Sequence, residues 1–304
     1  MRLVSIKVNL YMAKIFITGA NGFLGSNLVE YLLDAGHNVI AVIRPGCAHD
    51  KLSHLNCEII HYDGTISSLK AHLDANTTIV HTASYYVAEH KEEDVPMLLN
   101  SNLQYGLNLL EAMRVRGAKK IVNIGTAWQG YKGQERRPVN LYAATKQAFE
   151  DFIAYYCDAE GFRAISLRLN DTYGEKDQRM KLVKLLINAG LTKTTLDMSA
   201  GEQYINLSHI SDVCGAIDAS IRNIPESNSI EIYNLINKDE YTIKDLVKII
   251  EDELKITVPV NFGARDYRAR EVMEPLKTNK LKFYEPSTDL RIGIQKIYKQ
   301  LNDK

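Results

Sequence analysis

The sequence predicts an α/β protein built on a doubly wound parallel sheet, with a smaller C-terminal lobe. Three observations carry this. Short apolar, β-rich runs alternate with helical patterns through the first half of the chain, and such alternation calls for a parallel sheet covered by helices on both faces. A glycine-rich turn directly follows the first run. After about residue 175 the alternation loosens, yet no Pro/Gly/Ser linker marks off a tethered module.

The elements follow in order. Lys14–Thr18 (KIFIT) is an apolar run ended by glycines, hence a buried strand. Gly22–Asp34 has helical periodicity, with Leu24, Leu28, Tyr31 and Leu32 on one face. Asn38–Ile43, Glu58–Tyr62, Thr78–Thr82, Lys120–Ile124 and Ala164–Leu169 read as five further strands. Met97–Arg116 and Leu141–Cys157 read as helices between them. In the second half, short strands at Tyr204–Leu207 and Ile230–Leu235 mix with helices at Ile210–Arg222 and Ile243–Leu254, and Thr288–Leu301 reads as a helical tail. The expected organisation is a dinucleotide-binding domain over residues 13–174 and a lobe over 175–304 with segments that return to the sheet. Residues 1–12 read as an extension ahead of the first strand, without the long apolar region or cleavage site of a signal peptide.

Bulk properties narrow the function. Apolar residues make up 45% and charged residues 24%, as in an ordinary soluble domain. Acidic and basic residues number 37 each, so no electrostatic case arises for nucleic acid or an anionic membrane. No apolar run is long enough to span a bilayer. Cys47, Cys57, Cys157 and Cys214 form no CxxC pair, and the eight histidines show no HxH or HExxH spacing. Disulfides and metal are therefore not expected, and a cytoplasmic location is.

Thr18-Gly19-Ala20-Asn21-Gly22-Phe23-Leu24-Gly25 lies between the first strand and the first helix. Glycines at that spacing let the backbone approach a pyrophosphate, whose charge meets the amides of the helix N-terminus. Strand, turn and helix are the context the motif needs, so a Rossmann-type dinucleotide site is expected over a plain tight turn. NAD sites commonly carry a carboxylate at the end of the second strand. Here Val42-Ile43-Arg44-Pro45 has none. Arg44 is suited to pair with a 2′-phosphate, which favours NADP(H) over NAD(H).

Tyr142 and Lys146 stand at i and i+4, on one face of a helical stretch. A free phenol has a pKa near 10, and a neighbouring ammonium favours its ionised form. The fifth strand runs into Gly125-Thr126, which places a hydroxyl at the carboxyl edge of the sheet, where ligands of doubly wound folds bind. Thr126, Tyr142 and Lys146 then form a candidate catalytic set.

Together these residues resemble the extended short-chain dehydrogenase/reductases, the nucleotide-sugar epimerases, dehydratases and reductases. The likeness runs from residue 13 on. It includes the TGANGFLG turn, Asp63-Gly64, His81-Thr82-Ala83, Asn102, Gly125-Thr126 and the Arg168–Gly174 segment RLNDTYG. The resemblance implies cofactor contacts at Gly19, Asn21, Gly22, Phe23, Leu24, Gly25, Arg44, Asp63, Gly64, Thr82, Ala83, Asn102, Tyr142, Lys146 and Leu169. It implies substrate contacts at Tyr85, Thr126, Trp128, Asp171, Arg179 and Arg268. His81 is expected to pack under the cofactor and not to act as a base. Leu107, Leu110, Phe149 and Phe152 read as apolar helix faces, and the resemblance implies a homodimer through those helices.

Within that family, GTAWQGYKGQERRPVNLYAATKQAFE and ARDYRAREVMEP are similar to the CDP-abequose and CDP-paratose synthase type of nucleotide-4-keto-6-deoxyhexose reductase. That likeness implies NADPH-dependent reduction of a C4 ketone on a CDP- or dTDP-linked sugar for cell-surface polysaccharide. Two departures matter. Asp171 stands where the family commonly has asparagine. Ala127-Trp128 stands where dehydratases have Asp-Glu, so the groups for water elimination are missing. A nucleotide-sugar epimerase that retains NAD, and a non-catalytic dinucleotide sensor, remain as alternatives.

Overall fold

The computed structural model describes residues 12–47 and 50–303. The residues read as an extension, except Met12, lie outside them. The chain opens with β1 (Lys14–Thr18), α1 (Phe23–Asp34), β2 (Asn38–Ile43), β3 (Glu58–His61), α2 (Ile66–Lys70) and β4 (Thr77–His81). It continues through α3 (Val95–Leu99), α4 (Tyr105–Arg116), β5 (Lys120–Thr126), α5 (Leu141–Glu160), β6 (Arg163–Leu169) and β7 (Asp171–Tyr173). The second half holds α6 (Leu182–Thr192), β8 (Leu196–Met198), β9 (Tyr204–Ile205), β10 (Leu207–His209) and α7 (Ile210–Arg222). It ends with β11 (Ile230–Leu235), β12 (Tyr241–Thr242), α8 (Ile243–Leu254), β13 (Val260–Phe262) and α9 (Leu290–Asn302).

Seven parallel strands form the main sheet in the order β11-β6-β5-β4-β1-β2-β3. This is the doubly wound order, and it reverses between β1 and β4. Alternate residues of each strand feed opposite faces, as the pleat requires. Ile15, Ile17, Val39, Ala41 and Val122 pack under α1 and α7, against Leu28, Leu32, Val213 and Ile217. Phe16, Ile40, Val42, Ile79 and Ile121 pack under α4 and α5, against Leu109, Met113, Phe149 and Ile153. A third apolar cluster joins Tyr173 to α6, α8 and α9 through Leu186, Leu246 and Ile294.

The structure corrects several expected boundaries. The helix read over Met97–Arg116 begins at Val95 and is interrupted by a wide π-turn over Asn100–Gln104. The bulge presents the buried Asn102 side chain to Ser84, Tyr85 and Thr145. The strand read over Tyr204–Leu207 breaks at Asn206, whose amide bonds the backbone of Asn237 in both directions. Its halves pair separately, β9 with β12 and β10 with β7. Ile230–Leu235 is the edge strand of the main sheet, paired in parallel with β6. Leu110 and Phe149, read as apolar helix faces, pack in the core.

The turn after β1 is built for close approach. Gly19 has φ +70°, and a Cβ there would lie 2.7 Å from the backbone of Ala83 on the neighbouring strand end. A Cβ on Gly25 would lie 2.2 Å from Gly19 O, so α1 seats against the turn only because residue 25 has no side chain. Gly25→Ala is therefore expected to lower unfolding free energy by about 1–3 kcal/mol, measured by chemical denaturation. An unchanged midpoint would contradict that seating.

Candidate active site

Three adjoining cavities line the carboxyl edge of the sheet, where the strand order reverses. The first, about 240 Å³, holds Arg44 and Cys47 from beyond β2, Gly19, Asn21 and Gly22 from the glycine turn, and Thr82–Tyr85 from beyond β4. The second, about 250 Å³, shares Gly19, Gly22, Thr82 and Ser84 with it and adds Phe23, Leu24, Gly25, Thr126, Tyr142, Lys146, Leu169 and Arg179. The third, about 580 Å³, shares Tyr86, Trp128, Asn170, Asp171 and Lys181 with the second and reaches Arg265 and Arg268. One continuous cleft thus runs from Arg44, past Tyr142, to Arg268.

The glycine-turn end suits an anion. No side chain caps the first turn of α1, and that turn contains no acidic residue. Its unsatisfied amides and the positive end of the helix dipole face the cleft. Beneath it, His81 is fully buried, with Nδ1 2.8 Å from Thr18 Oγ1. Burial first, and then the charge of Lys146, lower its pKa to about 3. A permanently neutral imidazole supports the floor and cannot serve as a base near neutrality.

The middle of the cleft holds the proton chemistry. Thr126 ends β5 and caps the short turn Ala127–Gln129. Its Oγ1 accepts from Trp128 N at 3.3 Å, which leaves its own O–H to donate into the cleft. Asn140 caps α5, with Oδ1 accepting from Ala143 N at 2.9 Å. The cap fixes where the helix begins, and hence where Tyr142 and Lys146 point. Tyr142 is half-buried at the cleft wall and bonds the Ser84 hydroxyl. Enclosure raises its phenol pKa, opposed by Ser84 and by Arg179. The expected lowering by Lys146 is not what governs the phenol here, so Tyr142 is a protonated, acid-form group at neutral pH. Lys146 is 2% exposed. Burial pulls its ammonium down to about 8, opposed by Glu150 one turn along α5.

Behind these groups lies a buried ion pair. Arg168 and Glu150 are 1% and 2% exposed, with Nη2 2.6 Å and Nε 3.1 Å from the two carboxylate oxygens. Ser166 donates to the same carboxylate at 2.7 Å.

The remaining expected residues sort by position. Trp128 and Asp171 line both inner and outer cavities. The recess raises the Asp171 carboxyl pKa, against the pull of Lys181 and Arg268. Arg268 lines the outer cavity, 3.5 Å from Glu89. Arg179 lines the inner one while its guanidinium grips Asp177 at 2.8 and 2.9 Å.

Tyr85, Asn102, Asp63 and Gly64 take other positions. Tyr85 does not face the substrate side, because it lines the Arg44 cavity and its hydroxyl bonds Asp94. Its neighbour Tyr86 lines the inner and outer cavities, edge-on to Tyr142 with ring centroids 5.0 Å apart. Asn102 is buried support that holds Tyr85 and Thr145. Asp63 and Gly64 stand outside the cavity-lining residues, with Asp63 turned onto Thr65 and Gly64 O bonded by Asn108. Tyr86 was not read from the sequence. Lys181 lies over the Tyr86 ring at 3.9 Å.

Among the described residues no group of acidic, histidine or cysteine side chains is arranged to hold a metal ion, and no helix is long and apolar enough to cross a membrane.

The model of the NAD dependent epimerase/dehydratase family matches residues 15–235. The chain is 28% identical over 267 residues to a CDP-abequose synthase of Yersinia pseudotuberculosis, spanning 86% of this chain and 91% of that protein. It is 25% identical over 298 residues to one of Salmonella typhimurium, spanning 94% and 98%. Its fold matches that of the UDP-glucose 4-epimerase of Thermus thermophilus in complex with NAD, with TM-score 0.82, 21% identity, and 95% and 99% of the two chains covered.

In protein labelled with ¹³C at lysine Cε, the resonance lost in Lys146→Arg is expected to titrate near 8. The ammonium is then present below that pH and lost above it. A midpoint for that resonance near the ordinary lysine value of about 10.4 would contradict the enclosure described.

Proposed function

The chain belongs to the NAD dependent epimerase/dehydratase family of nucleotide-sugar enzymes, and on that premise we propose that it reduces the C4 ketone of a nucleotide-diphosphate-linked 4-keto-6-deoxyhexose or 3,6-dideoxyhexose with NADPH. The observation that carries this reading is the pairing of two donors. Tyr142 is held as a neutral phenol, and the Thr126 hydroxyl, whose oxygen accepts from Trp128 N, keeps its O–H to donate. Two donors converging on one oxygen suit a carbonyl that is gaining negative charge. The likeness to proteins named CDP-abequose synthase supports the same reaction class.

The glycine turn, with its uncapped helix end, would hold the cofactor pyrophosphate, and Arg44 would meet a 2′-phosphate. Bound NADPH would supply a hydride to C4. Thr126 donates a hydrogen bond to the C4 oxygen, and Tyr142 gives that oxygen its phenolic proton as the hydroxyl forms. Lys146, charged below about pH 8, stabilises the phenolate left behind and offers N–H donors to the cofactor ribose. Lys181 and Arg268 at the outer end, with Arg179 in the inner cavity, supply positive charge for the sugar diphosphate, with Asp171 free to accept from sugar hydroxyls.

The residue pair after Thr126 bears on the choice of reaction. Ala127 and Trp128 bring no acid or base to that end of the cleft, so water elimination has no proton carriers there. We read the surroundings as cytoplasmic and the assembly as a homodimer, supported by the exposed Val115 on α4 and Tyr155 on α5.

NADPH oxidation with CDP-, dTDP-, UDP- and GDP-linked 4-ketosugars tests the reading, with product stereochemistry by NMR. Turnover with at least one is expected, and Tyr142→Phe should lower kcat by about 10²–10⁴-fold. Silence across the panel, or NAD retained through purification with epimer interconversion, would overturn it in favour of an epimerase. Arg44→Ala is expected to raise KM for NADPH by about tenfold or more, the worth of one charge-assisted contact, with little change for NADH. Equal effects on both would remove Arg44 from the 2′-phosphate.

A further inference from the structure

Gln129 is completely buried, although a leucine would fill the same space without an amide to desolvate. Both ends of its amide are bonded. Oε1 accepts from Thr126 N at 2.9 Å, and Nε2 donates to Gln147 Oε1 at 3.4 Å. Arg168 Nη2 donates to that same Gln147 oxygen at 3.1 Å and to Glu150 at 2.6 Å. Gln147 and Glu150 follow Lys146 on α5 by one residue and by one turn. A line of hydrogen bonds therefore links the backbone of the ketone-facing threonine to the helix that carries the phenol and the ammonium.

Gly125 is a second, independent sign of this link. Its φ does not demand glycine, yet a Cβ there would lie 2.7 Å from Gln129 Oε1 and 2.9 Å from Arg168 Cγ. The strand is bare at residue 125 because the Gln129 and Arg168 side chains pass directly beneath it. The turn itself has other anchors, since Arg137 N bonds Gln129 O at 3.0 Å and Val139 N bonds Trp128 O at 2.8 Å. The Gln129 amide closes the same turn from below, accepting from Thr126 N while it bonds Gln147 in the core. What it adds is a fixed Thr126 backbone, and with it a fixed direction for the hydroxyl.

Resting on Thr126 as the donor to the ketone oxygen, we infer that Gln129 is a positioning residue, which latches Thr126 to the buried Arg168–Glu150 pair so that Thr126 and Tyr142 aim at one atom. Two donors that must meet at one oxygen tolerate little drift, because misplacement of about 1 Å costs on the order of 100-fold in rate.

The test is a double-mutant cycle on the full chain with Gln129→Leu, Thr126→Val and the double variant, using the nucleotide sugar that the wild type turns over. Gln129→Leu is expected to lower kcat by about 10–100-fold while KM and the NADPH dissociation constant move by less than about threefold. Because the amide acts through Thr126, the double variant is expected to be no slower than Thr126→Val alone. Multiplying losses, or a Gln129→Leu kcat equal to wild type, would overturn the inference. So would a kcat loss that vanishes when assayed well below a lowered melting temperature. If the wild type consumes no NADPH but interconverts epimers, the ketoreductase reading fails. The cycle is then run on epimerisation, where the same non-additivity is expected.

Discussion

The buried pair of Arg168 and Glu150 is the interaction on which the rest of the site depends. Removing two charges from water costs several kcal/mol per ion, returned only when geometry and hydrogen bonds are complete. Here the carboxylate receives two guanidinium nitrogens and the Ser166 hydroxyl, and Asn123 supports Ser166 at 2.9 Å, while Arg168 Nη1 alone of the guanidinium nitrogens has no partner among the described residues. The pair ties α5 to β6, and Ser166 and Asn123 extend the tie to β5. It therefore fixes the rotation of α5 about its axis. Tyr142, Lys146 and Glu150 occupy one face at successive turns, so holding Glu150 inward aims the other two at the edge of the sheet.

From that anchor the cleft divides by chemistry. Its glycine-turn end is positive through the backbone amides of the uncapped helix and through Arg44 across the cavity. Its middle holds one phenol that stays protonated and one ammonium made easier to discharge by burial. Its outer end carries Lys181, Arg265 and Arg268 interleaved with the carboxyls of Glu89, Asp171, Asp197, Asp266 and Glu271. A ligand with a pyrophosphate at one end, and a second with a reacting carbonyl followed by a diphosphate, match this order. The enclosure that raises the phenol also lowers the ammonium, because both shifts arise from the loss of water around a charge.

Much of this was legible in the sequence. The strands at Lys14–Thr18 and Asn38–Ile43 stand where they were expected, because buried parallel strands read as unbroken apolar runs. The glycine turn was legible because φ and close approach constrain residue type directly. What escaped was set by side chains bonding to distant backbone. The π-turn at Asn100–Gln104 exists because Asn102 reaches Tyr85 and Thr145, and no local pattern records that. Tyr86 was not read because the segment after β4 is extended and irregular, where a one-residue shift reverses which side chain faces the cleft. Gln129 was read only as a candidate sugar contact beside Trp128, although the Thr126–Gln129 spacing is that of a capping box. The buried course of its amide has no local pattern. Ile230–Leu235 was seen as a strand, but its place at the sheet edge depends on a crossover that spans most of the second half.

The central claim is that the protein, before any ligand binds, keeps Tyr142 as a protonated acid aimed with Thr126 at one oxygen. Difference absorbance titration of cofactor-free wild type against Tyr142→Phe measures this phenol directly. The account predicts that the absorbance contributed by residue 142 shows no phenolate until the pH exceeds the ordinary tyrosine value of about 10. A phenolate at residue 142 with a midpoint near 7 would contradict it.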